Sequence, residues 1–137
     1  MGYPELQEDM ALAWNRRENA HAPYSHFKVC AVVRFTGNDL FYVGVNVENA
    51  SYGASICAER SAILSGISAG ERAPIKSVLV ASNAKQPAVP CAVCLQFLAE
   101  FSNGDTKIYL VNGEEKIIEH AFSDLLPHPF TSFVGND

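Results

Sequence analysis

Charge is scarce in this chain. Only 18% of its 137 residues are Asp, Glu, Lys or Arg, and no like-charged block occurs anywhere. With 48% hydrophobic residues beside so little charge, intrinsic disorder is excluded as a description of the whole. Ten Lys and Arg are outnumbered by fifteen Asp and Glu and lie scattered, so a phosphate backbone finds no basic stripe. Nucleic acid polymers are set aside as partners on that ground. No apolar run approaches the length of a membrane span, and no charged segment leads into an apolar core at the start. The expectation is a cytoplasmic protein with neither a membrane partner nor a secretory signal. Repeats, low-complexity tracts and linkers are missing as well. Cysteine is sparse, four in all at 30, 57, 91 and 94. A reducing cytosol favours free, catalytic or metal-bound thiols over disulfides.

What is present reads as one α/β domain over residues 1–137, long enough to bury roughly two-thirds of its unfolded surface. Residues 4–20 open with Pro4 and the acids Glu5 and Glu8, signs of a helix start. Leu6, Met10, Ala13 and Trp14 then fall on one helix face, and Pro23 marks a stop. Residues 27–35 and 40–47, rich in Val and aromatics, predict a hairpin about the turn at 36–39. A helix follows from 57 to about 68, with Gly70 past its end. The apolar run at 77–82 predicts a strand covered on both faces. After Pro87 and Pro90 come a third helix, 91 to about 101, and another buried strand at 107–111. Asn112-Gly113 makes a turn, and a short strand or helix precedes residues 125–127. Such an order implies a mixed sheet with helices on its faces.

The stretch Pro90-Cys-Ala-Val-Cys-Leu-Gln96 carries the first chemistry. Cys91 and Cys94, at i and i+3, point the same way off a helix start, where backbone N–H groups favour thiolate. A redox pair would use a helix start similarly, yet it leaves Cys57 unexplained. Cys57 also opens a helix after a strand, and two such helix starts in an α/β unit share one sheet edge. Three thiolates can therefore converge on one tetrahedral cation. Three protein ligands leave the fourth position for water, which is how catalytic zinc is built. No histidine stands near these cysteines to close the site, and Cys30, mid-strand, reads as a small core residue. Glu59, two residues past Cys57, can enter the cavity without ligating the metal. Alone it would be an ordinary acid in a first helical turn; beside the open thiolate site it is a proton shuttle, as in zinc deaminases. A zinc-stabilised binding module without catalysis would have no use for it.

Five segments stand in order along the chain: APYSHFKV at 22–29, VNVENASYG at 45–53, CAERSA at 57–62, PCAVCLQFLAEF at 90–101 and LLPHPF at 125–130. In these the chain resembles the small homotetrameric zinc-dependent cytidine deaminases. The resemblance implies a three-layer α-β-α sandwich around a mixed sheet of about five strands. It implies one Zn²⁺ per chain on Cys57, Cys91 and Cys94, with Glu59 as proton shuttle. It places Asn46 and Glu48 on a nucleoside sugar, Phe27 along that pocket, and Ala58 on the cytosine ring. Phe130 would reach a neighbouring subunit's substrate in a homotetramer with shared active sites. The implied reaction is hydrolytic deamination of cytidine and 2′-deoxycytidine, releasing ammonia, in pyrimidine salvage. A blasticidin-type or modified-base nucleoside deaminase is the alternative within the same zinc chemistry.

Two positions depart from the family's usual Cys-Gly-x-Cys-Arg-Gln: Ala92 replaces glycine and Leu95 replaces arginine. Three thiolates over-neutralise zinc, so nearby positive charge should help, and Arg60 is placed to supply it.

Overall fold

The computed structural model describes residues 3–131. A 3₁₀ turn, Pro4–Leu6, leads into α1, Gln7–Arg17. Strands β1, Val29–Phe35, and β2, Phe41–Val45, form the expected hairpin. Then follow α2, Ala58–Ser68; β3, Ile75–Ser82; α3, Ala92–Ala99; β4, Lys107–Val111; β5, Ile117–Ala121; and a single turn, α4, Phe122–Leu125. The last segment is thus both strand and helix. The first helix ends at Arg17 and does not run on to Ala20. Its end is closed by three-residue bonds, Asn19 N–H to Arg16 O and Ala20 N–H to Arg17 O, well before Pro23.

The sheet has five strands in the order β2-β1-β3-β4-β5. β1 is antiparallel to both β2 and β3, β3 is parallel to β4, and β4 is antiparallel to β5. The period-2 alternation of the strands splits the core in two. Ala31, Val33, Val78, Val80, Ile108 and Leu110 face α2 and α3, while Cys30, Val32, Leu79, Ala81 and Val111 face α1. Helices therefore cover both faces of a mixed sheet, in three layers.

This topology decides where the chemistry can be. β2 and β3 are each antiparallel to β1 and so run in the same direction, as does β4 beside β3. Both α2 and α3 must then begin at one end of the sheet, outside the strand carboxyl ends. Cys57 is the N-cap of α2 and Cys91 the N-cap of α3. Gly44 sets how closely α2 approaches: a Cβ there would collide with the backbone of Ala62 and lie 2.7 Å from Ala58 O. The helix that carries Cys57 and Glu59 rests directly on the strand.

Candidate active site

Each thiol is placed by a helix start. Cys57 and Cys91 have extended backbone at the N-cap, and Cys94 follows within the first turn of α3. Their sulfurs all lie within 4.8 Å of one another, the one such cluster among the described residues. A tetrahedral zinc with bonds of about 2.3 Å spaces its sulfurs about 3.8 Å apart, so the triad is of the right size and chemistry. Cys94 is fully buried, Cys57 half-buried and Cys91 exposed, leaving one side of the cluster open.

The electrostatics favour anionic sulfur. A hydrogen bond from Cys94 pushes the Cys57 thiol down to about 5, helped by the Arg60 guanidinium. Cys94 is raised in turn, because it donates to Cys57 and is buried. The two act as one thiolate and one thiol sharing a proton. Arg60 Nη2 lies 3.8 Å from Cys57 Sγ and donates to Ser55 O at 3.2 Å. The cation is thus where the sequence places it. Leu95 serves packing instead, being 7% exposed and set in the core beneath α2 and α3. A side chain facing inward there leaves the thiolates to Arg60. Ala92 is exposed at the first position of α3, where a methyl group meets solvent.

Glu59 is 6% exposed, and burial raises its carboxyl to about 7, with the Cys57 thiolate adding to the shift. It lines a cavity of about 210 Å³ together with Cys57, Ala58, Cys91, Phe27, Asn46 and Glu48. Cys94 sits behind that wall, fully buried within the thiol cluster. A neighbouring cavity of about 390 Å³ shares Asn46, Glu48 and Cys57 and is edged by Tyr24 and Tyr52, whose rings meet edge-on at 6.0 Å.

Asn46 and Glu48 do more structural work than their spacing suggests. Asn46 Nδ2 donates to Phe27 O at 2.8 Å, and its Oδ1 accepts from Val29 N–H at 2.9 Å. These bonds replace ladder pairing, which is why β1 starts at Val29 and not at Phe27. Glu48 Oε1 accepts from the N–H groups of Tyr24 and Ser25 at 3.0 and 3.1 Å, and Oε2 from the Ser25 hydroxyl. Those bonds, the Ser25 hydroxyl first, hold the Glu48 carboxyl below the usual range. Phe130 lies at a distance from the thiols in sequence, yet its backbone is held from α3. Gln96 Nε2 donates to Phe130 O at 2.6 Å, and Phe130 N–H donates to Gln96 Oε1 at 3.1 Å. The residue is 60% exposed. Ser25 and Gln96 escape a reading of the sequence, since neither residue type in its local context signals a partner so distant.

Residues 4–111 match the family model for the cytidine and deoxycytidylate deaminase zinc-binding region. The chain belongs to that family. A curated cytidine deaminase of Halalkalibacterium halodurans is 41% identical over 88% of this chain and 90% of its own length. A probable cytidine deaminase of Dictyostelium discoideum is 38% identical, covering 96% of this chain and 87% of its own. Among solved structures, the cytidine deaminase of Burkholderia pseudomallei superposes with a TM-score of 0.83 at 36% identity, covering 95% of this chain and 100% of that one. The family match and the thiol cluster together support one zinc per chain in this member of the cytidine deaminase family.

Proposed function

We propose that the chain, acting as one domain over residues 1–137, hydrolyses cytidine and 2′-deoxycytidine to the uridines and ammonia, as a step of pyrimidine salvage in the cytoplasm. The observation that carries this is Glu59, buried beside three convergent thiols and facing the same cavity as Asn46 and Glu48. Cys57, Cys91 and Cys94 would hold the zinc, which supplies an acidified water. Glu59 accepts a proton from the attacking water and returns it to ring N3 as oxygen adds at C4. A second proton passes through the same carboxylate to the departing amine, which leaves as ammonia. Enclosure of the carboxyl keeps both transfers away from bulk solvent. Arg60 offsets the anionic charge of the sulfurs.

The sugar site follows from counting hydrogen-bond capacity. Asn46 has spent one amide hydrogen and one lone pair on the Phe27–Val29 backbone, which leaves one of each. Glu48 has filled Oε1 with two donors and Oε2 with one, so one lone pair on Oε2 remains. A 3′-hydroxyl can accept from the spare Asn46 hydrogen and donate to the spare Glu48 lone pair. Phe27 and Ala58 line the same cavity, and in this reading Phe27 would flank the sugar and Ala58 the cytosine ring. Gln96 holds the Phe130 backbone from the helix that carries Cys94, and the working form is a homotetramer in which Phe130 reaches a neighbouring subunit's substrate. The test is ultraviolet absorbance on incubation with cytidine, which changes as the 4-amino group is lost. A zinc-loaded protein that leaves cytidine unchanged would overturn the proposal.

A further inference from the structure

We infer that Ser25 is a positioning residue that sets specificity for the sugar, by fixing the Glu48 carboxylate so that one lone pair stays free for a sugar hydroxyl. The inference rests on the sugar site proposed above and assigns the residue that controls it. Ser25 lies in a strap, residues 21–29, wrapped around residues 46–48. One end of the strap is stitched by His21 N–H to Asn46 O and Glu48 N–H to His21 O. The other end is held by the Asn46 side chain at Phe27 and Val29. Between them the chain turns at His26, which has φ +58° and donates its N–H to Ala22 O. Histidine is among the residues enriched in that left-handed conformation.

The turn at His26 gives the Ser25 hydroxyl a defined direction. Ser25 Oγ accepts from Phe27 N–H at 3.0 Å, so its own proton is free to donate, and it donates to Glu48 Oε2. A relay of Phe27 N–H to Ser25 hydroxyl to Glu48 carboxylate polarises along its length. Two backbone N–H groups hold Oε1 and one hydroxyl holds Oε2, so the carboxylate cannot rotate about its terminal bond without losing a partner. Ser25 also borders both cavities, at the wall they share. Without the hydroxyl, Oε2 gains a second open lone pair and the group loses the contact that aims it.

The test compares kcat/KM for cytidine and 3′-deoxycytidine in the zinc-loaded protein and its variants. Ser25→Ala should raise KM for cytidine about 10-fold, the effect of one hydrogen bond to a charged group, with little change in kcat. The preference for cytidine over the 3′-deoxy analogue should shrink by a similar factor. Ser25→Thr, which keeps the hydroxyl, should restore both. Should Ser25→Ala fail to fold or to retain zinc, Ser25→Cys keeps the shape with a weak donor and should shift the same ratio in the same direction. Wild-type KM and preference in the alanine variant, or a fall in kcat at unchanged KM, would overturn the role of Ser25 while leaving the sugar site standing. Equal kcat/KM for the two nucleosides in the unaltered protein would overturn the sugar site, and this inference with it.

Discussion

In the proposed reaction, a carboxyl shut away as Glu59 is would serve through the proton it carries. It makes no ion pair among the described residues, and α2 would tolerate an amide of the same shape. Glu59→Gln is therefore expected to fold, to keep about one zinc by elemental analysis, and to lose about two to four orders of magnitude in kcat, since the amide cannot accept a proton. Loss of the metal in that variant would make Glu59 a ligand and overturn its role as shuttle. Cys30 marks the contrast between thiols. It is fully buried under α1, and burial pushes its thiol up to about 12. In the folded protein it should resist alkylation at pH 8, where the thiolate is the reactive form. Cys30→Ser should keep zinc and activity at a cost of about 1–3 kcal/mol for a buried hydroxyl. Cys57→Ser, Cys91→Ser and Cys94→Ser should each lose both metal and turnover, checked by the same elemental analysis and by ultraviolet absorbance with cytidine.

Elements hold these residues through a few close approaches. Gly44→Ala places a methyl group against the backbone of Ala62 and Ala58, which cannot swing aside as a side chain would. The expected outcome is a loss of about 3 kcal/mol or more in denaturant unfolding, with reduced zinc, because α2 carries Cys57 and Glu59 together. The strap over residues 46–48 has its own pH dependence. Glu48 titrates below the ordinary carboxylate range when folded, so its contribution is complete above that range and is lost as pH falls through the lowered value. In the zinc-loaded Glu59→Gln protein, which lacks the carboxyl raised to about 7 in the same cavity, uridine binding measured by calorimetry should thus hold down to the ordinary carboxylate range and weaken beneath it. Weakening that begins at neutral pH would show that Glu48 is not the anchor. At this scale the sequence was legible where signals are local. Pro90 and Gly70 bracket helices, and the thiols with Glu59 declare a zinc site. It was illegible where one side chain answers a distant backbone. Asn46 shortens β1 from 17 residues away, and Gln96 holds Phe130 from 34. Leu95 was obscure for a related reason: only the packed core shows that its side chain faces inward.

For the whole molecule, the decisive feature is that β3 separates the ligands in sequence while the sheet brings them together in space. Cys57 precedes β3, and Cys91 and Cys94 follow it, Cys91 coming 34 residues after Cys57. On the ribosome, at about 5–20 residues per second, Cys57 waits roughly 2–7 s before its first partner is even synthesised. No complete site exists in that interval, nor until β3 has paired with β1 and set α2 beside α3. Metal capture is then expected to follow the pairing of β1 with β3 and not to nucleate it. In refolding from denaturant, zinc uptake followed by a fluorescent chelator should lag behind the far-ultraviolet dichroism of the sheet. Once loaded, the same architecture makes the metal a clasp between two distant stretches of chain, and each tenfold rise in free zinc above its dissociation constant should add about 1.4 kcal/mol against unfolding.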